Sequence, residues 1–271
     1  MKKIGFIDYY LSEWHANNYP QWIREANEAL GTDYEVAYAW GELDLSPKYG
    51  ETSAQWCEKM GVELCATLEE VCEKSDVLLI LAPSDPDRHL VYATTALRYG
   101  KPTYIDKTFA PNLVDAQKIF ALASTYNTPF FSTSALRYAE ELGDLGEVSR
   151  LIVTGGGGNL PEYLVHQVEM AVMLLGDRAK DAKVDCYGNQ CVAHVVTENG
   201  KEATFIYAPK LPFSVATEAP DGTPAYRAIK SDFFRGLIAD ILRFYENAKP
   251  GFDPAQTLEV MRIRDMILAQ I

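Results

Sequence analysis

Residues 75–110 read SDVLLILAPSDPDRHLVYATTALRYGKPTYIDKTFA, and how this stretch parses decides the fold of the whole chain. Residues 77–81 are an unbroken apolar run of strand length, the pattern of a strand buried on both faces. Pro83 ends it, and Ser84-Asp85-Pro86 supplies turn chemistry. The apolar period then changes, so that Leu90, Ala93, Thr94 and Leu97 fall on one face of a helix. Gly100 closes that helix, and Lys101-Pro102 prevents its continuation. Residues 103–105 are a second short strand. Strand, helix and strand in this span make a right-handed βαβ unit.

In an open parallel sheet, ligands sit beyond the carboxyl ends of the strands. Those ends are Ala82-Pro83-Ser84 and Asp106-Lys107-Thr108. Lys107 therefore stands at the mouth of an expected cleft, although position alone also suits an ordinary solvated lysine. The stretch resembles the Gfo/Idh/MocA oxidoreductase family. That family has a strand ending in threonine- or alanine-proline, a histidine heading the next helix, then Gly-Lys-x-x-x-x-Glu-Lys-Pro. Here the matching residues are Ala82-Pro83, His89, Gly100-Lys101-Pro102 and Asp106-Lys107-Thr108. Asp106 replaces the usual glutamate, and Thr108 replaces the usual proline. The resemblance implies that Lys107 lies beside substrate and nicotinamide.

The remainder of the first half continues the alternation. Residues 3–7 read as a first strand with Asp8 at its carboxyl end. A Gly-x-Gly-x-x-Gly turn is expected next in a dinucleotide-binding unit. The chain has Asp8-Tyr9-Tyr10-Leu11-Ser12-Glu13-Trp14-His15, with no glycine. Without glycine the turn loses its tight bend and the close approach of backbone to pyrophosphate. Asp8 and Glu13 also repel a pyrophosphate. The aromatics Tyr9, Tyr10, Trp14, Tyr19 and Trp22 either fill a rebuilt core or floor a pocket for a ring-bearing ligand. A helix is expected from about Asn17, with Pro20 in its first turn, to Leu30. The next strand, residues 34–40, ends at Trp40-Gly41 where an acid would hold a ribose, and Glu42 follows as a ribose ligand or a loop acid.

Further on, residues 53–60 and 68–75 read as helices, the latter opened by a capping box at Thr67 to Glu70. Asn112 caps a helix expected to turn Val114, Ile119, Leu122 and Ala123 inward, and residues 128–131 are a last strand. Residues 1–131 are thus expected to be a Rossmann-like doubly wound α/β domain.

Strand then follows strand, with Asn199-Gly200 as a hairpin turn between two of them. Two helices close the chain. Residues 132–271 are expected to be an α+β domain with a mainly antiparallel sheet. Gly155-Gly156-Gly157-Gly158-Asn159-Leu160-Pro161 precedes a helix over 162–175. Glu162 and His166 are four apart and share a helix face, with Glu169 three further on. A carboxylate one turn from an imidazole orients it and raises its basicity, which suits a general base. An ordinary solvated Glu–His pair has the same spacing. The family's Asp-x-x-x-His-x-x-Asp helix is similar, with both acids here glutamates.

By resemblance, Glu162 and His166 take the aspartate and catalytic histidine positions, with Lys107 as the third catalytic residue. The resemblance further places Asp8, Tyr9, Ala82, Pro83, Ser84, His89 and Asp106 along the cofactor. It places Arg137, Tyr138, His15 and Glu169 toward substrate, Arg137 gripping substrate oxygens or an interdomain acid. His89 either caps its helix or touches cofactor, and His194 is read as structural. The implied activity is NAD- or NADP-dependent oxidation of a carbohydrate-like CH–OH group, with His166 taking the hydroxyl proton. Two alternatives fit the missing glycines: a sugar-binding or regulatory protein without cofactor, and a lyase or hydrolase using His166 and Lys107. The resemblance also implies a homo-oligomer formed through the open face of the second sheet.

Composition narrows the classes. A formal charge of −13 and no basic stripe argue against a nucleic-acid footprint and disfavour anionic membranes. No apolar run reaches the roughly 18–20 residues needed to span a bilayer. The N-terminus turns polar too soon for a signal peptide. Five cysteines show neither Cys-x-x-Cys nor a zinc pattern, so no metal is expected, and reduced buried thiols in a cytoplasmic protein are the expectation.

Overall fold

A computed structural model describes residues 1–271 as two compact units. The first comprises Met1–Thr133 and Leu237–Pro254, the second Ser134–Gly236 and Ala255–Ile271.

In the first unit, β1 (Lys2–Asp8), β2 (Tyr34–Gly41), β3 (Glu63–Leu64), β4 (Val77–Ile80), β5 (Thr103–Ile105) and β6 (Phe130–Phe131) form one sheet in the order β3-β2-β1-β4-β5-β6. Every pairing is parallel. Helices α1 (Trp14–Leu30), α2 (Ser53–Met60), α3 (Leu68–Lys74), α4 (Asp87–Ala96) and α5 (Leu113–Tyr126) make the crossovers. This is the expected Rossmann-like doubly wound sheet, and its order reverses between β1 and β4. The apolar run of β4 is buried throughout, as a central strand covered on both faces must be.

Three local expectations are corrected. Helix α1 starts at Trp14, and Pro20 lies inside it, because Glu13 rather than Asn17 caps the first turn. Of the expected α4 face, Ala93 and Leu97 are buried, whereas Leu90 and Thr94 are only partly so and His89, Tyr92 and Ala96 take their place, because the His89 imidazole turns inward. Val114 is exposed, and Ala116, Ile119 and Ala123 form the inward face of α5.

In the second unit, β7 (Arg150–Gly155), β8 (Ala179–Tyr187), β9 (Gln190–Thr197), β10 (Glu202–Tyr207), β11 (Ser214–Glu218) and β12 (Pro224–Ala228) form a sheet ordered β12-β11-β7-β10-β9-β8. All neighbours are antiparallel except β7 with β10. Helices α6 (Leu160–Leu175) and α8 (Ala255–Leu268) cover one face. There Val153, Val195 and Phe205 pack with Val168 and Val172 of α6 and Val260 and Ile263 of α8. The other face carries exposed Ile152, Val192 and Tyr226. His194 sits opposite Thr204 across β9 and β10, with Nδ1 and Oγ1 3.1 Å apart.

Helix α7 (Phe233–Asn247) passes from the second unit to the first, so residues 132–271 are not one uninterrupted body. Its later turns belong to the first core for a physical reason. The Tyr245 hydroxyl donates to Leu78 O at 2.8 Å, and the Phe244 ring meets Phe131 edge-on at 4.9 Å.

The expectation of five reduced thiols fails. Cys186 and Cys191 are directly opposed across the β8–β9 hairpin and form a disulfide. Gly188, with φ 56°, makes the tight turn that brings them together. Cys57, Cys65 and Cys72 remain buried free thiols. The disulfide removes the cysteine argument for a reducing compartment. No helix is long and apolar enough to cross a membrane.

Candidate functional site

The first unit gathers its polar groups at the carboxyl ends of β1, β4 and β5. Asp8 ends β1 and is buried. One of its oxygens accepts from Tyr9 N at 2.7 Å and Ala82 N at 3.0 Å. The other, Oδ2, has no hydrogen-bond partner in the chain, and neither has the buried Tyr19 hydroxyl. Burial, reinforced by the neighbouring Glu13 charge, holds Asp8 well above the usual carboxylate range. Burial also raises Glu13, against the opposing pull of His15 and of the Ala16 and His15 amides.

Asp106, just beyond β5, behaves oppositely. Burial pushes its pKa up, but the His15 charge and hydrogen bond, helped by Lys107, outweigh that and bring it down to about 2. His15 Nδ1 meets the Asp106 carboxylate directly, and the Tyr104 hydroxyl donates to the same group at 3.2 Å. Lys107 is half-buried and donates to Pro83 O at 3.2 Å, so the ends of β4 and β5 are tied together there. Ser84 is exposed in the intervening turn.

His89 is fully buried and does not cap α4. Its ring nitrogens face Phe109 O and Leu81 O, so it latches the end of β4 to the segment after β5. Two carbonyl acceptors favour the doubly protonated ring, but burial is the larger effect and lowers its pKa below the ordinary value.

The aromatics of this region pack mainly on one another. His15 and Tyr19 stack at 5.2 Å, and Trp14 meets Trp22 edge-on at 5.5 Å. Of the two readings of this cluster, core filling is the one these contacts support, with Trp14 at the rim. Glu42 is engaged on both oxygens, accepting from the Tyr92 hydroxyl at 2.7 Å and pairing with Arg88 at 3.2 Å.

The second unit presents the His166 imidazole on α6, apart from His194 on its sheet. Asn159 caps α6 by accepting from Glu162 N at 2.9 Å, which sets the helix start. His166, two turns in, is half-buried. Its Nδ1 lies 2.7 Å from Ser134 Oγ, which also accepts from Leu136 N at 3.2 Å. Tyr163 and Phe213 meet the imidazole edge-on at 5.6 and 5.8 Å. Glu162 reaches back to the Asn159 side-chain amide at 3.1 Å. The imidazole partner not anticipated from sequence is Ser134, thirty-two residues away in the chain.

Arg137 and Glu169 form a buried ion pair at 2.6 Å, both under a tenth exposed. Glu169 also accepts from Ser134 N at 3.3 Å, so the pair holds the segment that holds His166. The acid that Arg137 meets is therefore within its own unit, not across a domain boundary. Tyr138, half-buried, packs against Gly236, where a side chain would strike its Cβ.

The glycine run is explained by packing. A methyl at Gly155 would strike the Phe213 ring, at Gly156 the Ala208 carbonyl, and at Gly157 the Tyr163 ring. These glycines let Phe213 and Tyr163 close around His166 and none has a positive φ. A hollow of about 480 Å³ beside Asn159, Pro161 and Cys191 takes in neither His166 nor Ser134.

No protein-family profile matches the chain. It is 34% identical over 96 residues to the uncharacterized oxidoreductase YhhX of Escherichia coli, a match covering 32% of this chain and only 28% of that protein. Among solved structures, UDP-N-acetylglucosamine 3-dehydrogenase GnnA from Acidithiobacillus ferrooxidans superposes with a TM-score of 0.77, at 14% identity, over 99% of this chain and 97% of that one. A scyllo-inositol dehydrogenase from Lactobacillus casei, with bound NAD(H) and scyllo-inositol, gives 0.76 at 12% identity over 99% and 96%. Biliverdin reductase from Synechocystis, with biliverdin and NADP+, gives 0.69 at 15% over 98% of each chain. At such identities the likeness establishes the fold, and the chemistry must come from this chain's own residues.

A nicotinamide dinucleotide needs free amides at the N-terminus of α1 and room for its pyrophosphate. The residues present do not fit it. Asp8, Glu13 and Asp106 gather carboxylates there, and the first amides of α1 already have an acceptor.

Proposed function

We propose that the chain is a Gfo/Idh/MocA-type protein that binds a sugar- or polyol-like molecule and moves a proton at one of its hydroxyls. The observation that carries this is the half-buried His166 imidazole fixed by Ser134 at 2.7 Å. For Nε2 to accept a proton, Nδ1 must carry hydrogen and donate it. Ser134 Oγ has two lone pairs, and Leu136 N–H uses one. A donation from Nδ1–H to the same oxygen would set the tautomer a general base requires. In this proposal Ser134 takes the orienting role first assigned to Glu162. Tyr163 and Phe213 offer apolar edges suited to the C–H faces of a sugar ring. Lys107, in the first unit, is proposed separately as a cation for ligand oxygens.

Binding measured calorimetrically across inositols and free sugars, with turnover of any ligand found, tests this. His166→Gln should retain ligand binding within a few-fold and lose turnover by roughly 10²-fold or more. Full turnover in both His166→Gln and Lys107→Ala on an identified substrate would overturn it.

A second reading is a sugar-sensing protein on the same fold, favoured by the self-filled turn after β1. Tight polyol binding with no turnover of that ligand, with or without nicotinamide, would select it. The NAD- or NADP-dependent dehydrogenase reading draws support from the fold relatives that hold those cofactors. Self-association through exposed Ile152, Val192 and Tyr226 remains part of the proposal.

A further inference from the structure

The turn between β1 and α1 already contains an anion. Glu13 is 4% exposed, and its carboxylate accepts from His15 N at 2.8 Å and from Ala16 N. These amides are among the first donors of α1, the groups that a helix N-terminus offers to a phosphate. The turn that carries Glu13 is stitched down along its length. Ser12 Oγ donates to Glu51 at 2.6 Å, and Lys59 holds Glu51 at 2.7 Å. Ser46 Oγ donates to Ser12 O at 2.6 Å, and Leu43 N donates to Tyr9 O at 2.7 Å. Leu11, 1% exposed, lies against Gly41, where even an added methyl would crowd its Cγ at 3.3 Å.

The amides at the two strand ends flanking the switch point are likewise taken. Tyr9 N and Ala82 N both donate to Asp8. The acid after β2 that would face a ribose is held by Tyr92 and Arg88. These four amides and Glu42 are therefore engaged by the chain itself, and bringing in a pyrophosphate would set it against Asp8 and Asp106.

We infer that Glu13 is a built-in substitute for the dinucleotide pyrophosphate, so that the crevice after β1 is closed to NAD(H) and NADP(H). The fold is kept because the substitute meets two of the helix-terminal amides that a phosphate would, the His15 and Ala16 N–H groups. Any chemistry on a polyol in this chain then proceeds without a dinucleotide lodged in that crevice. This inference does not depend on the role proposed for His166.

Calorimetric titration of the full chain with NADH, NADPH and inorganic pyrophosphate tests it. The wild type should show no saturable binding up to about 1 mM, the level at which binding free energy falls to about 4 kcal/mol. Glu13→Ser keeps a good helix cap while removing the charge and bulk, and should fold. That variant should gain at least tenfold in pyrophosphate affinity. Circular dichroism and a cooperative melt confirm its fold, and Glu13→Asn provides a second cap should serine fail. Saturable micromolar binding of either dinucleotide to the wild type would overturn the inference. So would a folded Glu13→Ser or Glu13→Asn protein as blind to pyrophosphate as the wild type. Loss of polyol turnover in His166→Gln would leave this result untouched, so the two proposals fail separately.

Discussion

The Asp8–His15 turn and the His166 face of α6 both place titratable groups at the start of a helix-bearing segment, yet they are built on opposite principles. At the turn, carboxylates are buried and consume the chain's own donors. Asp8 takes two amides, Glu13 takes two more, and Asp106 takes His15. On α6, the buried charges Arg137 and Glu169 cancel one another beneath the site, and the imidazole above them is left half-exposed. A buried acid without a full set of partners destabilises its region, whereas a paired one can serve as a platform. The difference teaches that the first region engages most of its polar groups internally, Asp8 Oδ2 and the Tyr19 hydroxyl excepted, while the second presents a group outward.

The sharpest way to break that contrast is to unpair the platform. Arg137→Ala leaves Glu169 buried without its partner and should cost about 3–5 kcal/mol, read as a lower denaturation midpoint. The double change Arg137→Met with Glu169→Leu should recover much of that loss, because neither charge then remains buried. If both single and double variants unfold at the wild-type midpoint, the pair does not support the segment holding His166.

Acid titration probes the turn. Asp106 is lowered from 3.8 to about 2, so its contribution is present above its unfolded value and is lost as pH falls through about 2. A shift of that size corresponds to roughly 2 kcal/mol at neutral pH. Asp106→Asn should therefore be less stable than wild type at pH 7, and the deficit should shrink between about pH 4 and pH 2. A deficit independent of pH would mean that the His15 pairing contributes nothing electrostatic.

Replacing Cys186 and Cys191 by serine opens a short loop, for which chain entropy gives about 2 kcal/mol at most. Thermal melting with and without reductant checks it, and equal melts would show that the hairpin turn suffices. Asp8→Asn should have a smaller effect of opposite sign. Asp8 is raised by burial, so keeping it ionised at neutral pH opposes folding, and the neutral amide should raise the melting temperature. That gain should vanish below about pH 3, where the acid is protonated in both states. A lower melting temperature at pH 7 would mean that the ionised Asp8 is needed for the Tyr9 and Ala82 amides.

Much of this was legible in the residues. Unbroken apolar runs such as 77–81 fix a doubly buried strand, and the absence of glycine from residues 8–15 announces a turn unlike the glycine-rich turn that lets backbone approach a pyrophosphate. The helix under His166 follows from Asn159, Pro161 and Gly176, since caps and breakers act within a few residues. What chain order could not give are contacts made across long separations. Ser134 on His166, Arg137 on Glu169, His15 on Asp106 and the later turns of α7 against β4 depend on which faces the fold brings together. The Cys186–Cys191 bond turned on a hairpin register, where a single residue of slip would separate the pair. Local patterns determined the elements, because propensity, capping and periodicity are short-range. The tertiary structure alone decided the partner of each polar group, because burial removes water and makes the nearest available donor or acceptor the one that counts.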